Sequence, residues 1–241
     1  MKFKQTDFTG TKEILKFPDH YVALGVTVDD TGIVANADGK KIVAKGTIVG
    51  GAAASAIADD TQKVQKKNTA SVAATLATGV IASNNAITFT AKVSGVIGNA
   101  TKAQLKNPAA ASQALAVSIV GDTIVVSLAT DGASALTSTA ADVIAAVNAH
   151  LAAKALVSAA NTGASTGAGV VAAVAATALA GGTDGSALSA EGVLLNDVDV
   201  TYGPASGAMV IHGYIDIDSN KLPEVPVAEA RAALKAIFFI D

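Results

Sequence analysis

The segment that decides the fold reads Ala190-Glu191-Gly192-Val193-Leu194-Leu195-Asn196-Asp197-Val198-Asp199-Val200, then Gly203-Pro204 and Gly207, then Ile211-His212-Gly213-Tyr214-Ile215-Asp216. Apolar and acidic residues alternate in its first part, which predicts a half-buried strand with one exposed face. The glycines and the proline then mark a turn, after which β-branched residues resume an extended run. The segment therefore predicts two antiparallel strands, and it contains no catalytic pattern.

Length and composition exclude several classes of protein. At 241 residues, the chain is long enough for one large domain or two small ones. The net charge is -3 and Arg231 is the only arginine, so a nucleic-acid partner is not favoured. No cysteine is present, which excludes disulfides and thiolate metal sites. The most apolar run, Ala168 to Ala180, is shorter than the roughly 20 residues of a membrane-spanning helix, and the first residues do not form a signal peptide. We therefore expect a soluble protein, made in the cytoplasm, without a membrane partner.

Aromatic and charged residues divide the chain into two compositions. All aromatic residues except Phe89 lie near the two ends, which predicts two separate cores. Charged residues are sparse between Asn85 and Ser189, in a background of Ala, Ser, Thr, Val and Gly. Insertions are tolerated at loops whose ends lie close together. The sequence thus predicts a discontinuous, mainly β domain formed by residues 1–84 and 186–241, with a small α/β domain inserted at residues 85–185.

Local patterns predict the elements of the insert. Alternation over residues 87–93, 115–119 and 124–128 indicates strands, the last two joined as a hairpin. Thr139 and Asp142 have the spacing of a capping box, and apolar residues at helical spacing follow up to Leu151, which predicts a helix of about four turns. Residues 170–179 fit either a strand or, because alanine favours helices, a helix.

The flanking pieces give fewer signals. His20 to Val28 is a strand candidate, and residues 52–70 indicate a linker or a short surface helix. Near the C-terminus, Pro226 occupies a helix-start position, and residues 236–240 predict a final strand.

Candidate chemical sites are weak throughout the sequence. The histidines are distant from each other, and a metal site would need them brought together: His20, His150 and His212. Asp216-x-Asp218-x-Asn220 imitates the start of a calcium loop, but Lys221 stands where glycine is required. Gly163, Gly167 and Gly169 lack the spacing of a phosphate-binding loop, and Ser206 lacks a nucleophile elbow. We therefore predict no catalytic residues, no cofactor and no metal ion.

The N-terminal arm has two interpretations. It carries aromatic and basic residues ahead of the first strand: Lys2, Phe3, Lys4, Gln5, Thr6, Asp7 and Phe8. It is either a frayed terminus or a segment that adds as a strand to an exposed edge of a partner, with phenylalanines filling pockets.

The C-terminal segment resembles the lambda-like head decoration proteins of phages, together with related capsid cement and head fibre proteins. The residues that carry the resemblance are Glu191-Gly192-Val193-Leu194, Asp197-Val198-Asp199-Val200, Gly203-Pro204 and His212-Gly213. The resemblance covers Glu191 to Asp241 best and Tyr21 to Gly51 more loosely. The long middle segment departs from the compact family pattern, and it resembles Ala/Thr-rich modules of phage structural proteins such as tail-sheath inserts.

The resemblance implies a structural protein of the virion. It implies a β-rich homotrimer that binds the major capsid protein through its N-terminal arm, at three-fold sites on the outer surface of an expanded capsid. The insert would project outward, where it could bind a host-surface polymer. Two alternatives remain from other classes: a phage tail, baseplate or receptor-binding adhesin component, and an enzyme of unknown chemistry.

Overall fold

The protein is mainly β. The computed structural model describes residues 13–218 and 221–241. Its strands are β1 (Val22–Val28), β2 (Ile42–Val43), β3 (Ile48–Gly51), β4 (Lys63–Lys66), β5 (Ala73–Thr78), β6 (Ile87–Ser94), β7 (Lys102–Lys106), β8 (Ala116–Val120), β9 (Thr123–Ser127), β10 (Val157–Asn161), β11 (Val174–Ala178), β12 (Gly192–Leu194), β13 (Val198–Asp199), β14 (Ala205–Asp216) and β15 (Ile237–Ile240). The α-helices are α1 (Ala140–Ala149), α2 (Leu151–Leu156) and α3 (Ala228–Ala233).

The chain divides into two compact units. Unit 1 consists of the residues up to Ala70 together with Gly185–Asp241, and unit 2 is Ser71–Asp184. The first division comes earlier than the boundary at residue 84 suggested by the sequence. The reason is that β5 pairs with β6 and therefore belongs to unit 2.

Unit 1 is built around a closed five-stranded barrel. The strands pair in the order β1, β4, β3, β12 and β14, and β14 pairs back with β1. The β1–β4 pair is parallel, and the other four pairs are antiparallel. Closure leaves none of these five strands with a free edge in the ring. Strand β15 joins the sheet by pairing in parallel with the end of β14.

The barrel is filled by aliphatic side chains. Each strand contributes at least one residue to this interior cluster, and five of them are at most 1% exposed: Val28, Val49, Val64, Leu194 and Met209. Their neighbours point to the outer face because side chains alternate along a strand. On that face Ile48, Val193 and Val210 pack in a second cluster that includes Ala230 of α3. The prediction that residues 193–199 form a strand with one exposed face is wrong for β12, which is buried on both sides.

Unit 2 has one core between two sheets and a helix. The antiparallel order β10-β6-β5 forms one sheet, and β11-β7-β9-β8 forms the other, in which β7 and β9 run parallel. Phe89 of β6 is completely buried and packs in one cluster with Ile124 and Val126 of β9 and with Val143 and Val147 of α1. The alternation and the helical spacing predicted from the sequence place these same residues inward.

Several local predictions are confirmed, and two are corrected. Strands β8 and β9 form the predicted hairpin, and the Thr139–Asp142 capping box starts α1. The predicted four-turn helix is interrupted at His150, which ends α1 and caps α2. Residues 174–178 form a strand rather than a helix. The prediction of a linker or surface helix over residues 52–70 is wrong, because β4 lies there and completes the barrel.

Candidate functional site

The residues that follow the predicted arm are fixed along the end of β14. Residues 2–8, from Lys2 to Phe8, lie outside the described residues, so their role stays a prediction. Leu15 forms an antiparallel bridge with Ile215, and the N–H of Lys16 donates to the carbonyl of Tyr214 at 2.9 Å. The chain that leads from the predicted arm therefore joins unit 1 beside β14.

A β-bulge in β14 changes which side chains face outward. Val22 of β1 pairs with His212, but the next residue, Ala23, pairs with Val210, so Ile211 is the extra residue. A bulge of this kind reverses the alternation beyond it. As a result Val210 and Ile215 both enter the buried outer cluster, although they are an odd number of residues apart. The intervening His212 and Tyr214 are only partly buried.

The bulge creates an exposed ring cluster on unit 1, formed by Phe17, His20, His212, Tyr214 and Phe238. Tyr214 lies at its centre, with ring centroids 5.2 Å from Phe17, 5.8 Å from His20 and 5.1 Å from Phe238. Phe17 is 52% exposed and Phe238 is 49% exposed. Contiguous aromatic rings at a protein surface are typical of an interaction site.

Backbone geometry holds the histidines of this cluster together. The N–H of His20 donates to the carbonyl of Phe17 at 3.2 Å, which closes a turn with Pro18 at its second position, where proline is favoured. Gly213 has a φ of 150°, and a Cβ there would lie 3.1 Å from the Cβ of Tyr21. Glycine thus permits the close approach of residues 20–21 to β14, and it accounts for the His212-Gly213 pair in the sequence.

An ion-paired carboxylate lies at the end of β14. Asp216 is 4% exposed, and its Oδ2 lies 2.6 Å from the Nζ of Lys221 and 3.3 Å from the Nζ of Lys16. The hydrogen bond from Lys221, with a further one from the backbone N–H of Asp218, lowers the pKa of Asp216 to about 2. The carboxylate of Asp216 would be the first ligand of the calcium-loop pattern seen in the sequence. In the structure it is ion-paired with Lys16 and Lys221 instead.

The Glu191-Gly192 motif has a structural role. The Oε2 of Glu191 accepts hydrogen bonds from the backbone N–H groups of Gly51 at 2.9 Å and Ala56 at 2.8 Å, which anchors the loop between β3 and β4. A Cβ on Gly192 would lie 2.3 Å from the Cγ of Met209 and 2.5 Å from the carbonyl oxygen of Val210. The motif therefore fixes a loop and permits close strand contact.

The third histidine of the sequence has a structural role. The Nδ1 of His150 accepts from the N–H of Ala153 at 3.2 Å, so this histidine is a helix cap in unit 2. Among residues 13–218 and 221–241, no three His, Cys, Asp or Glu side chains group as metal ligands. Within the same described residues, no helix has the length and apolar character needed to cross a membrane.

The ring cluster was not predicted from the sequence, although the concentration of aromatic residues near the chain ends was evident in it. The concentration of aromatic residues near the chain ends predicted a core, whereas the core of unit 1 is aliphatic and Phe17 and Phe238 are half exposed.

No protein-family model, curated protein or solved structure matches this chain.

Proposed function

We propose that this protein is a structural component of a phage virion that binds the outer surface of the expanded capsid and stabilises the shell. Its partner would be the major capsid protein, and it would bind as a homotrimer at three-fold sites. The observation that carries the proposal is the exposed ring cluster of unit 1, which lies where the N-terminal segment joins the sheet. Aromatic side chains dominate the binding energy of many protein interfaces, so this surface favours a binding role over catalysis.

The barrel suits a protein that acts by binding alone. Its ring of strands is closed and its interior is filled, so the ring cluster is presented on a rigid support. A ligand that binds only the assembled, expanded lattice stabilises that lattice by its binding free energy. Three arms on one trimer, each carrying residues 2–8, would add avidity without a strong single contact. No turnover, cofactor or metal ion is needed for this function.

In this proposal unit 2 is an inserted α/β domain that projects outward from the capsid. Its support is a separate core, formed by two sheets and α1, within a continuous stretch of chain. A domain with its own core does not need the flanking segments for burial. Outward projection would leave it able to bind a host-surface polymer.

Sedimentation with capsids tests the proposal. Purified protein is added to expanded, undecorated capsids, and the bound protein is compared with major capsid protein by gel densitometry. We expect saturation at a fixed ratio, and we expect the double variant Phe17→Ala, Phe238→Ala to lose most binding. Tyr202→Ala is the matched control, because Tyr202 is fully exposed on the same unit but precedes the opposite end of β14.

Two results would overturn the proposal. The first is an absence of binding to the shell, with the protein found on the tail by immunogold labelling, which would favour the tail or adhesin alternative. The second is shell binding that neither the double variant nor deletion of residues 2–8 reduces, which would exclude both the ring cluster and the arm as the contact surface.

A further inference from the structure

Two histidines that are far apart in the sequence meet at the surface of unit 1. The Nε2 atoms of His20 and His212 lie 3.3 Å apart, and the two ring centroids are 5.2 Å apart with an interplanar angle of 66°. His20 is exposed and His212 is partly buried, so the pair is open to solvent on at least one side. Histidine is the commonest metal ligand in proteins, and the neutral ring can bind a metal ion through Nε2.

The separation of the two nitrogens matches a metal chelate. Zinc binds imidazole nitrogen at about 2.0–2.1 Å in tetrahedral geometry, which places two nitrogen ligands about 3.3–3.4 Å apart. The two nitrogens also lie within hydrogen-bonding distance of each other, and a cation that replaces the shared proton keeps the same separation. A cation between the two rings would let both nitrogens use their lone pairs.

The protein backbone sets this geometry before any ligand arrives. The turn from Phe17 to His20 positions the backbone of the first histidine, and the β-bulge in β14 directs the second ring outward. Gly213 allows the two backbones to approach, and the Tyr214 ring lies 5.8 Å from His20. Ligands held by packing and by backbone turns lose little conformational entropy on binding, which favours affinity.

We propose that His20 and His212 form a binding site for a divalent transition-metal ion of the class that prefers imidazole, such as Zn²⁺, Ni²⁺ or Cu²⁺. Imidazole ligands select these ions over Mg²⁺ and Ca²⁺, which prefer oxygen ligands. The described residues add no third His, Asp or Glu to a cluster with this pair. Water therefore completes the coordination, and the site has open positions.

Calorimetric titration of the full-length protein with Zn²⁺ tests the site, after treatment with a chelator and buffer exchange. We expect one Zn²⁺ per chain, and we expect His20→Gln and His212→Gln each to weaken binding at least about tenfold, because each leaves a single imidazole. His150→Gln is the matched control, because it removes a histidine that caps a helix in unit 2, and it should bind Zn²⁺ as the wild type does. Mg²⁺ should give no measurable heat of binding.

A third variant separates a preformed chelate from adventitious binding to surface histidines. Gly213→Ala keeps both imidazoles but adds a Cβ 3.1 Å from that of Tyr21, so it should displace residues 20–21 and weaken Zn²⁺ binding. Wild-type affinity in both His20→Gln and His212→Gln, or equal losses in these variants and in His150→Gln, would overturn the proposal. Capsid sedimentation in the presence of a chelator is a separate measurement, so the metal site and the capsid-binding function can fail independently.

Discussion

Replacing Glu191 with alanine removes the carboxylate that anchors the loop between β3 and β4. The backbone N–H groups of Gly51 and Ala56 both donate hydrogen bonds to this side chain, and both residues are buried. Burial alone would raise the pKa of Glu191, but hydrogen bonds from Ser55 and from the backbone outweigh that effect and lower it. The ionised carboxylate is therefore the form that the fold stabilises.

The expected magnitude follows from these two bonds. A hydrogen bond to a charged group contributes about 1.5–3 kcal/mol, and a buried N–H left without a partner costs about 1–3 kcal/mol. Residues 53–55 are exposed, so water will replace part of the loss after the substitution. We expect Glu191→Ala to lower the free energy of unfolding of unit 1 by about 2–4 kcal/mol. Glu191→Gln keeps an acceptor oxygen and should cost about 1 kcal/mol.

Tyrosine fluorescence during urea unfolding measures this effect selectively. The chain has no tryptophan, and its three tyrosines, Tyr21, Tyr202 and Tyr214, all belong to unit 1. With a urea slope of about 1–3 kcal/mol per molar, the midpoint for Glu191→Ala should fall by about 0.7–4 M. Asp60→Ala is the control, since Asp60 is an exposed carboxylate of the same loop, and its effect should stay within about 0.5 kcal/mol.

Acid provides a second test of the same reasoning. Because folding lowers the pKa of Glu191, its contribution is present above the unfolded value near 4.5 and is lost as the pH falls below it. The difference in stability between wild type and Glu191→Ala should therefore shrink in acid. The reasoning is refuted if Glu191→Ala unfolds with the same midpoint as Asp60→Ala at neutral pH.

Two further predictions concern a carboxylate in unit 1 and a helix cap in unit 2. The pKa of Asp216 is lowered to about 2 by Lys221 and its other partners, so its stabilising effect is complete above the unfolded value of 3.8 and is lost as the pH falls through 2. Asp216→Asn should lower the urea midpoint at pH 7 and flatten the loss of stability in acid; identical acid profiles for variant and wild type would contradict this. Thr139→Ala removes the hydroxyl that accepts from the N–H of Asp142 at 3.2 Å, and it should cost about 1 kcal/mol by circular dichroism melting. Thr139→Ser keeps the cap and should retain most of that stability, and equal losses in the two variants would argue against the capping role.

Elements set by local signals were predictable from the sequence. The Thr139–Asp142 capping box needs only residues three apart, and the β8–β9 hairpin needs only a turn between two alternating runs. Strand β15 was predicted because residues 236–240 are almost all large and apolar, and α3, which precedes it, begins two residues after the predicted start at Pro226. For the capping box and the hairpin the deciding interaction lies within a few residues, whereas β15 is completed by its pairing with β14.

Closure of the barrel depends on contacts that no local pattern encodes. Strand β12 carries apolar residues on both faces, which is typical of burial on both sides, but Asp197 and Asp199 farther along suggested one exposed face, and Val193 and Leu194 are both buried. Strand β4 reads as polar because three of its four residues are Lys or Gln, and only Val64 points into the barrel. The burial of both strands was not predicted, because the residues that cover their second face come from distant parts of the chain.

The candidate site was hidden for a related reason. The β-bulge directs His212 and Tyr214 outward, and it exists only in the pairing of β14 with β1. The sequence of either strand alone says little about the register of that pairing. The aromatic residues were recognised as unevenly distributed, but composition does not say whether Phe17 and Phe238 are buried. Their exposure follows from an aliphatic core that is already filled.

The position of unit 2 within the chain affects the order in which the protein can fold during synthesis. Strand β1 pairs with β14, and the ribosome completes the whole of unit 2 between them. Unit 2 is continuous, so it can fold as soon as it leaves the exit tunnel, while the first strands of the barrel wait for their partners. During that interval β1, β3 and β4 carry apolar residues without a closed ring, which exposes the nascent chain to aggregation or to chaperone binding. Slower translation of residues 185–241 should therefore lengthen the vulnerable period of unit 1 and leave unit 2 unaffected.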